Sequence, residues 1–244
     1  MRFSVFAITS VPDTATTRGL FGLDDLDDKS VSKVLFHRRK QQTGSSEMLR
    51  WDQRAIAGIS LIQHSADDLQ IETLNLPAQG EREMLEAYCR AVQHNDCLVS
   101  WDAGRMELPL IRFRSMMHGL TCPAHSQAPH QGHDLQHVIC DRLAPHAADR
   151  PGLDETARRL GYPGLLQHQE DTLHRAWLQR RPAEFRAYSE MAALNSYLLA
   201  LRLFTTTGEM PADEGGRAMD RLREVLSRRD GAHLRRFLSA WGDA

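Results

Sequence analysis

The stretch Ala183–Phe204 constrains the fold most. Its apolar residues have helical spacing and leave little polar face, which predicts a long helix buried by its neighbours. A helix of that kind needs a sheet or further helices packed round it. Its longest apolar run, Ser196–Phe204, is broken by an arginine and falls short of the roughly 18 residues that crossing a membrane takes. The elements to surround it are legible upstream. Residues 3–8 alternate weakly and stop at Pro12-Asp13, a strand closed by a turn. Arg54–Gln63 and Leu69–Leu76 predict a hairpin or meander, and Cys97–Trp101 a short apolar strand. Helices are expected over Ser30–Gln41, Glu81–His94, Met106–His118, Leu153–Leu160 and Thr172–Gln179. Met210–Gly216 reads as a linker and Arg217–Phe237 as one final basic amphipathic helix. Strands gather before residue 140 and helices follow. That order indicates one α/β domain over residues 1–208 and a tail over 209–244.

Composition narrows the class. With 41% hydrophobic and 25% charged residues, a fibrous or wholly disordered chain is excluded. The net charge of −2 gives no global nucleic-acid signal, so such a signal has to be local. The apolar start Phe3–Ile8 is too short for a signal peptide. Cys89, Cys97, Cys122 and Cys140 form no C-x-x-C pair, so reduced thiols and a cytoplasmic chain without membrane association are expected.

Three segments carry a resemblance. Phe6-Ala7-Ile8-Thr9-Ser10-Val11-Pro12-Asp13, Leu98-Val99-Ser100-Trp101-Asp102 with Met106-Glu107-Leu108-Pro109, and Tyr188-Ser189-Glu190 through Leu194-Asn195-Ser196-Tyr197-Leu198-Leu199 occur in that order. They resemble the predicted 3′–5′ exonucleases related to the proofreading domain of DNA polymerase B. Weaker matches fall at Asp134-Leu135, Leu153-Asp154-Glu155 and Gly161-Tyr162-Pro163-Gly164. The resemblance implies a ribonuclease H-like fold: a central mixed β-sheet flanked by helices, with a helical C-terminal part.

It also implies where chemistry would sit. Such exonucleases, of the type with four acids and a tyrosine, use carboxylates to hold two Mg2+ or Mn2+ ions about 3.5–4 Å apart, clamping the attacking and leaving oxygens of a phosphodiester. Their two first-strand acids align with Ala7 and Thr9, the third with Glu107, one methylene longer than the aspartate of the family, and the fourth with Ala192. The tyrosine that orients water aligns with Tyr188. One carboxylate in four cannot balance two dications, so the expectation is a catalytically degenerate protein, without a metal cofactor, that keeps a groove for single-stranded 3′ ends. One alternative is an active exonuclease with relocated acids, for which Asp102, Glu107 and Asp134 are the weak metal candidates, whereas Asp13 lies beyond the strand, past Pro12, and Glu190 precedes Ala192 by two residues, about 200° round the helix. Another is a scaffold or regulatory protein whose groove takes a protein partner.

Other constellations have plainer readings beside them. His125, His130, His133, His137 and His146, with Cys122 or Cys140, raise a zinc question if the stretch is helical, but the resemblance implies a strand over 133–138, which would put His133 and His137 about 13 Å apart. No nucleophile elbow or phosphate-binding P-loop string is present. Trp101 could stack on a base or sit in the core. Arg112, Arg114 and the arginines of the last helix could follow a phosphate backbone, or form ion pairs such as Asp220–Arg223 on a solvated face.

Overall fold

A computed structural model describes residues 1–75, 80–92, 97–102, 104–123, 136–143, 151–166 and 170–242. Five strands form one sheet in the order β3-β2-β1-β4-β5. They are β1 (Phe3–Pro12), β2 (Arg54–His64), β3 (Leu69–Asn75), β4 (Leu98–Ser100) and β5 (Gln136–Val138). β1, β2 and β3 form an antiparallel meander, whereas β4 and β5 run parallel to β1. The sheet is therefore mixed, as expected.

Side-chain alternation along β1 organises the two layers. Phe3, Val5 and Ala7 point into a cluster with the long helix α8 (Pro182–Thr206), and Phe6 points to the opposite face. There α3 (Glu81–Val92) supplies Met84, Leu85 and Tyr88, and α4 (Glu107–His118) supplies Leu108, Leu110 and Ile111. α8 is buried along most of its length, as its all-round apolar sequence demands. The connecting helices are α1 (Thr14–Phe21), α2 (Asp28–Thr43), α5 (Ile139–Leu143), α6 (Leu153–Arg159) and α7 (Glu170–Leu178), with a short 3-10 turn at Trp51–Gln53 before β2.

Three sequence expectations need correction. First, Thr14–Phe21 is helical where only a turn was expected: the Asp13 side chain accepts from Thr16 N–H, and Gly22 ends the helix at φ 62°. Second, the C-terminal tail is two helices, α9 (Ala212–Ser227) and α10 (Ala232–Gly242), and α9 begins inside the expected linker. Leu222, Leu226, Leu234, Phe237 and Trp241 fold both back onto the α8 cluster. Third, Cys89 and Cys122 form a disulfide, their Cα atoms 5.2 Å apart, because neighbouring α3 and α4 bring the end of one beside the segment leaving the other. Cys97 and Cys140 are buried.

Candidate functional site

The residues aligned with the exonuclease acids do come together, at the C-terminal half of β1. Ala7 and Ala192 are both buried and belong to one apolar cluster. Thr9, two residues further along the same strand face, donates its hydroxyl to the Phe185 carbonyl at 3.1 Å. Glu107, in the first turn of α4, reaches β1 from the other layer, where its Oε1 accepts the Ile8 N–H at 3.3 Å. Its Oε2 is buried without a hydrogen-bond partner among the described residues. Burial pushes this carboxyl up from 4.5 to about 7, with a smaller push from the negative charge of Asp102; the Ile8 N–H and the Ser100 hydroxyl pull the other way. Tyr188 lies one helical turn before Ala192 on α8, half-buried.

Glu107 and Tyr188 line one cavity of about 170 Å³ together with Ile8, Ser10, Arg54 and Leu173. Sequence reasoning passed over Arg54. The only signal for it is the pairing of the β-meander. β1 and β2 shift register between Thr9 and Ser10, and past this irregularity Arg54 pairs with Pro12. Its Nε donates to Ser10 Oγ at 2.8 Å, which fixes a guanidinium beside the acid-aligned positions. Such shifts re-aim side chains, and they recur next to functional sites.

The donor set does not fit a pair of hard divalent cations, which need several oxygen ligands carrying negative charge. Ala7 and Ala192 offer methyl groups, and the Thr9 hydroxyl is engaged with Phe185. Glu107 would have to give up a proton that its surroundings favour. Asp102 is half-buried near Glu107 and adds to that cost, and Asp134 lies outside the described residues. Asp13 caps α1 and pairs with Arg114. Glu190 is buried against Arg186 at 2.9 Å, His233 and Arg229. No group of three or more His, Cys, Asp or Glu side chains among the described residues is placed to hold a metal. For the zinc reading, Cys122 is tied to Cys89, and His125, His130, His133 and His146 lie outside the described residues.

The expected nucleic-acid contacts are rearranged. Arg114 is a correction: 6% exposed, it donates to Asp13 at 2.5 Å and to both oxygens of Glu81, so it joins β1, α3 and α4 and presents nothing to a ligand. Arg112, on the same helix, is half-buried. Trp101 is half-buried and packs on the α8 cluster. In the tail, Arg217 pairs with Asp213, Arg223 with Asp220 and Arg228 with Glu224. Arg221 and Arg229 donate at 2.9 Å to the carbonyls of Ala66 and Ile71, clasping the β2–β3 hairpin.

A mixed five-stranded sheet with its antiparallel meander ahead of two parallel strands, backed by one long helix, defines a ribonuclease H-like α/β protein. The chain belongs to the family of predicted 3′–5′ exonucleases related to the exonuclease domain of PolB, whose model matches residues 46–241. β1, with Ala7 and Thr9, precedes the matched span. In fold the chain is similar to the family B DNA polymerase of the hyperthermophilic archaeon Pyrobaculum calidifontis, with a TM-score of 0.51 and 10% identity. That similarity covers 82% of this chain and 25% of the polymerase. No functionally curated protein matches the chain.

Proposed function

We propose that this protein is a catalytically degenerate 3′–5′ exonuclease that retains a groove for single-stranded 3′ ends. The observation that carries the reading is the packing of Ala7 and Ala192 in one buried apolar cluster, with Thr9 bonded to a backbone carbonyl beside them. Without those carboxylates, two metal ions have neither ligands nor compensating charge, and the two-metal clamp on a phosphodiester is lost. What supports a surviving groove is the open cavity bounded by Glu107 and Tyr188, with Arg54 on its wall. The engagement of Arg114 and the tail arginines within the fold leaves few cations for a strand. Binding is therefore weak and salt-sensitive.

The test is digestion of 5′-labelled single-stranded and 3′-recessed DNA with Mg2+ or Mn2+, beside a binding titration on the same oligonucleotides. No shortening is expected, with measurable binding at low salt. For two to four phosphate contacts the slope of log K against log salt is about −1.5 to −3 on single strands. Digestion that disappears in Glu107→Ala would overturn the reading in favour of an active enzyme with relocated acids.

A further inference from the structure

The Cys89–Cys122 bond joins α3 to the segment just past the end of α4. Gly119 ends α4 in the left-handed region at φ 63°, and the chain then turns so that Leu120 and Cys122 pack on the cluster built on α3. The two cysteines are 33 residues apart in sequence, and between them lie β4, Trp101, Glu107 and the whole of α4. The bond therefore closes a loop round the segment that carries Glu107. A cavity of about 280 Å³ opens beside it, lined by Glu86, Cys89, Arg90, Leu120, Thr121 and Pro123. Cys89 is 7% exposed and Cys122 is half-buried between the exposed Thr121 and Pro123. Glu86 turns its carboxylate to Arg82 at 3.0 Å, which leaves the exposed Arg90 to set the sign of the groove. A cation beside a cysteine favours the thiolate, and disulfides that a thiolate can reach are the exchangeable ones.

We propose that Cys89–Cys122 is a reversible dithiol–disulfide site, exchanged through this groove by a dithiol reductant, and that its oxidation state sets how firmly α4 and Glu107 are held. A thiolate of the reductant bonds to Cys89 Sγ, the Cys89–Cys122 bond breaks, and its electron pair leaves on Cys122 Sγ. The second thiolate of the reductant then attacks its own partner sulfur in the mixed disulfide and releases Cys89 as a thiolate. The protein gains two electrons and, with two protons, two thiols; the reductant departs as a disulfide. A low-molecular-weight disulfide runs the sequence backwards and restores the bond. Cys122 is the sulfur that leaves, because its segment belongs to no helix or strand, whereas Cys89 is fixed in α3. Cys97 and Cys140 are buried and do not line the groove.

The full chain, purified in air without reductant, is alkylated with iodoacetamide before and after treatment with dithiothreitol under native conditions, and the modified peptides are mapped. Cys89 and Cys122 should be unmodified before and modified after, with Cys97 and Cys140 protected throughout. Reduction should proceed at a rate that about 1 M urea leaves unchanged, since attack through the groove needs no unfolding. Arg90→Glu should slow it severalfold, because a groove of reversed sign repels the thiolate, and should leave the melting temperature within about 2 °C. The oxidised protein should melt roughly 7–15 °C above the reduced one, as a closed loop of this length in a chain of this size implies, and oxidised glutathione should restore the higher value. Cys122→Ser should melt with the reduced form and ignore reductant; if it does not fold, the two wild-type melting curves decide. A rate that climbs steeply with urea would mean that the sulfurs are reached only by unfolding, and overturns the inference. So would thiols at Cys89 and Cys122 that persist in air, or Arg90→Glu exchanging as fast as the parent. Equal melting temperatures of the two forms would overturn the hold on α4.

Discussion

Replacing Glu107 by glutamine should stabilise the protein at alkaline pH and leave it unchanged in acid. In the unfolded chain the carboxyl loses its proton near 4.5, but in the folded protein it holds the proton until about 7. Between those values the native state binds a proton that the unfolded state has released, so stability falls as pH rises. Above pH 7 both states are ionised and the loss is complete. The interval corresponds to about 3 kcal/mol. For a domain of this size that is a difference in Tm of roughly 6–12 °C. Glutamine keeps the shape and can still accept the Ile8 N–H, but it has no charge to bury.

A second group complicates the wild-type profile and makes the comparison sharper. His64 is buried, bonded through Nδ1 to the Tyr197 hydroxyl at 2.8 Å, and burial lowers its pKa from 6.5 to about 4. Its contribution has the opposite sign: stability is present above 6.5 and is lost as pH falls towards 4. Between 4.5 and 6.5 the two groups offset each other, so the wild type should be nearly flat there. Glu107→Gln should rise over the same range because only His64 remains. Urea midpoints of both proteins from about pH 4.5 to pH 8 measure this directly. A wild-type-minus-variant difference that stays constant across that range would refute a buried, proton-holding Glu107.

Two further predictions concern how the site is held. Arg114→Met should cost about 3–5 kcal/mol in urea or thermal unfolding, because it leaves Asp13 and Glu81 buried without their shared cation; a loss below about 1 kcal/mol would mean the pairing is not the buried one described. Asn195→Ala should cost about 2–4 kcal/mol, since the Asn195 amide accepts from Gly164 N–H at 3.0 Å and donates to the Gly164 and Met191 carbonyls at 2.8 and 2.7 Å. A destabilised variant whose nucleic-acid affinity is unchanged at low temperature would assign Asn195 to the fold alone, and a selective loss of affinity would contradict that.

Much of the fold was legible because its elements are locally consistent. The all-round apolar pattern of α8 required burial, and the alternation of residues 54–63 and 69–76 marked the meander. What escaped was set by local chemistry or by long-range contact. α1 follows directly on a strand and has no strong apolar stripe, so its signal was the Asp13 cap alone. The break between α9 and α10 lies at Arg228–Gly231 inside a run whose charged residues keep helical spacing throughout. Arg114 read as a surface cation because its partners lie 101 and 33 residues away, and only the packing of α4 on α3 and β1 brings them together.

The strings that resemble the exonucleases divide into two sets once their contacts are known. Asn195 clamps Gly164, whose φ of 69° and close approach to Asp154 leave no room for a side chain. Asp154 in turn accepts the Leu165 N–H at 2.6 Å. Tyr197 bonds His64 beneath the hairpin, and Glu190 docks α10 through His233. These residues fasten the turn after α6, the sheet and the tail onto α8, and each would be needed whether or not a phosphodiester were ever cut. Ala7 and Ala192 pack in the apolar cluster and Thr9 holds the Phe185 carbonyl, and acidic groups at these positions would be buried beside one another without compensating charge. Matching strings at 153–164 and 188–199 therefore report the scaffold, and cannot testify to catalysis. Arg54 belongs to neither set. Its place beside Glu107 and Tyr188 follows from the register shift in β1–β2 pairing, which no string in the chain announces.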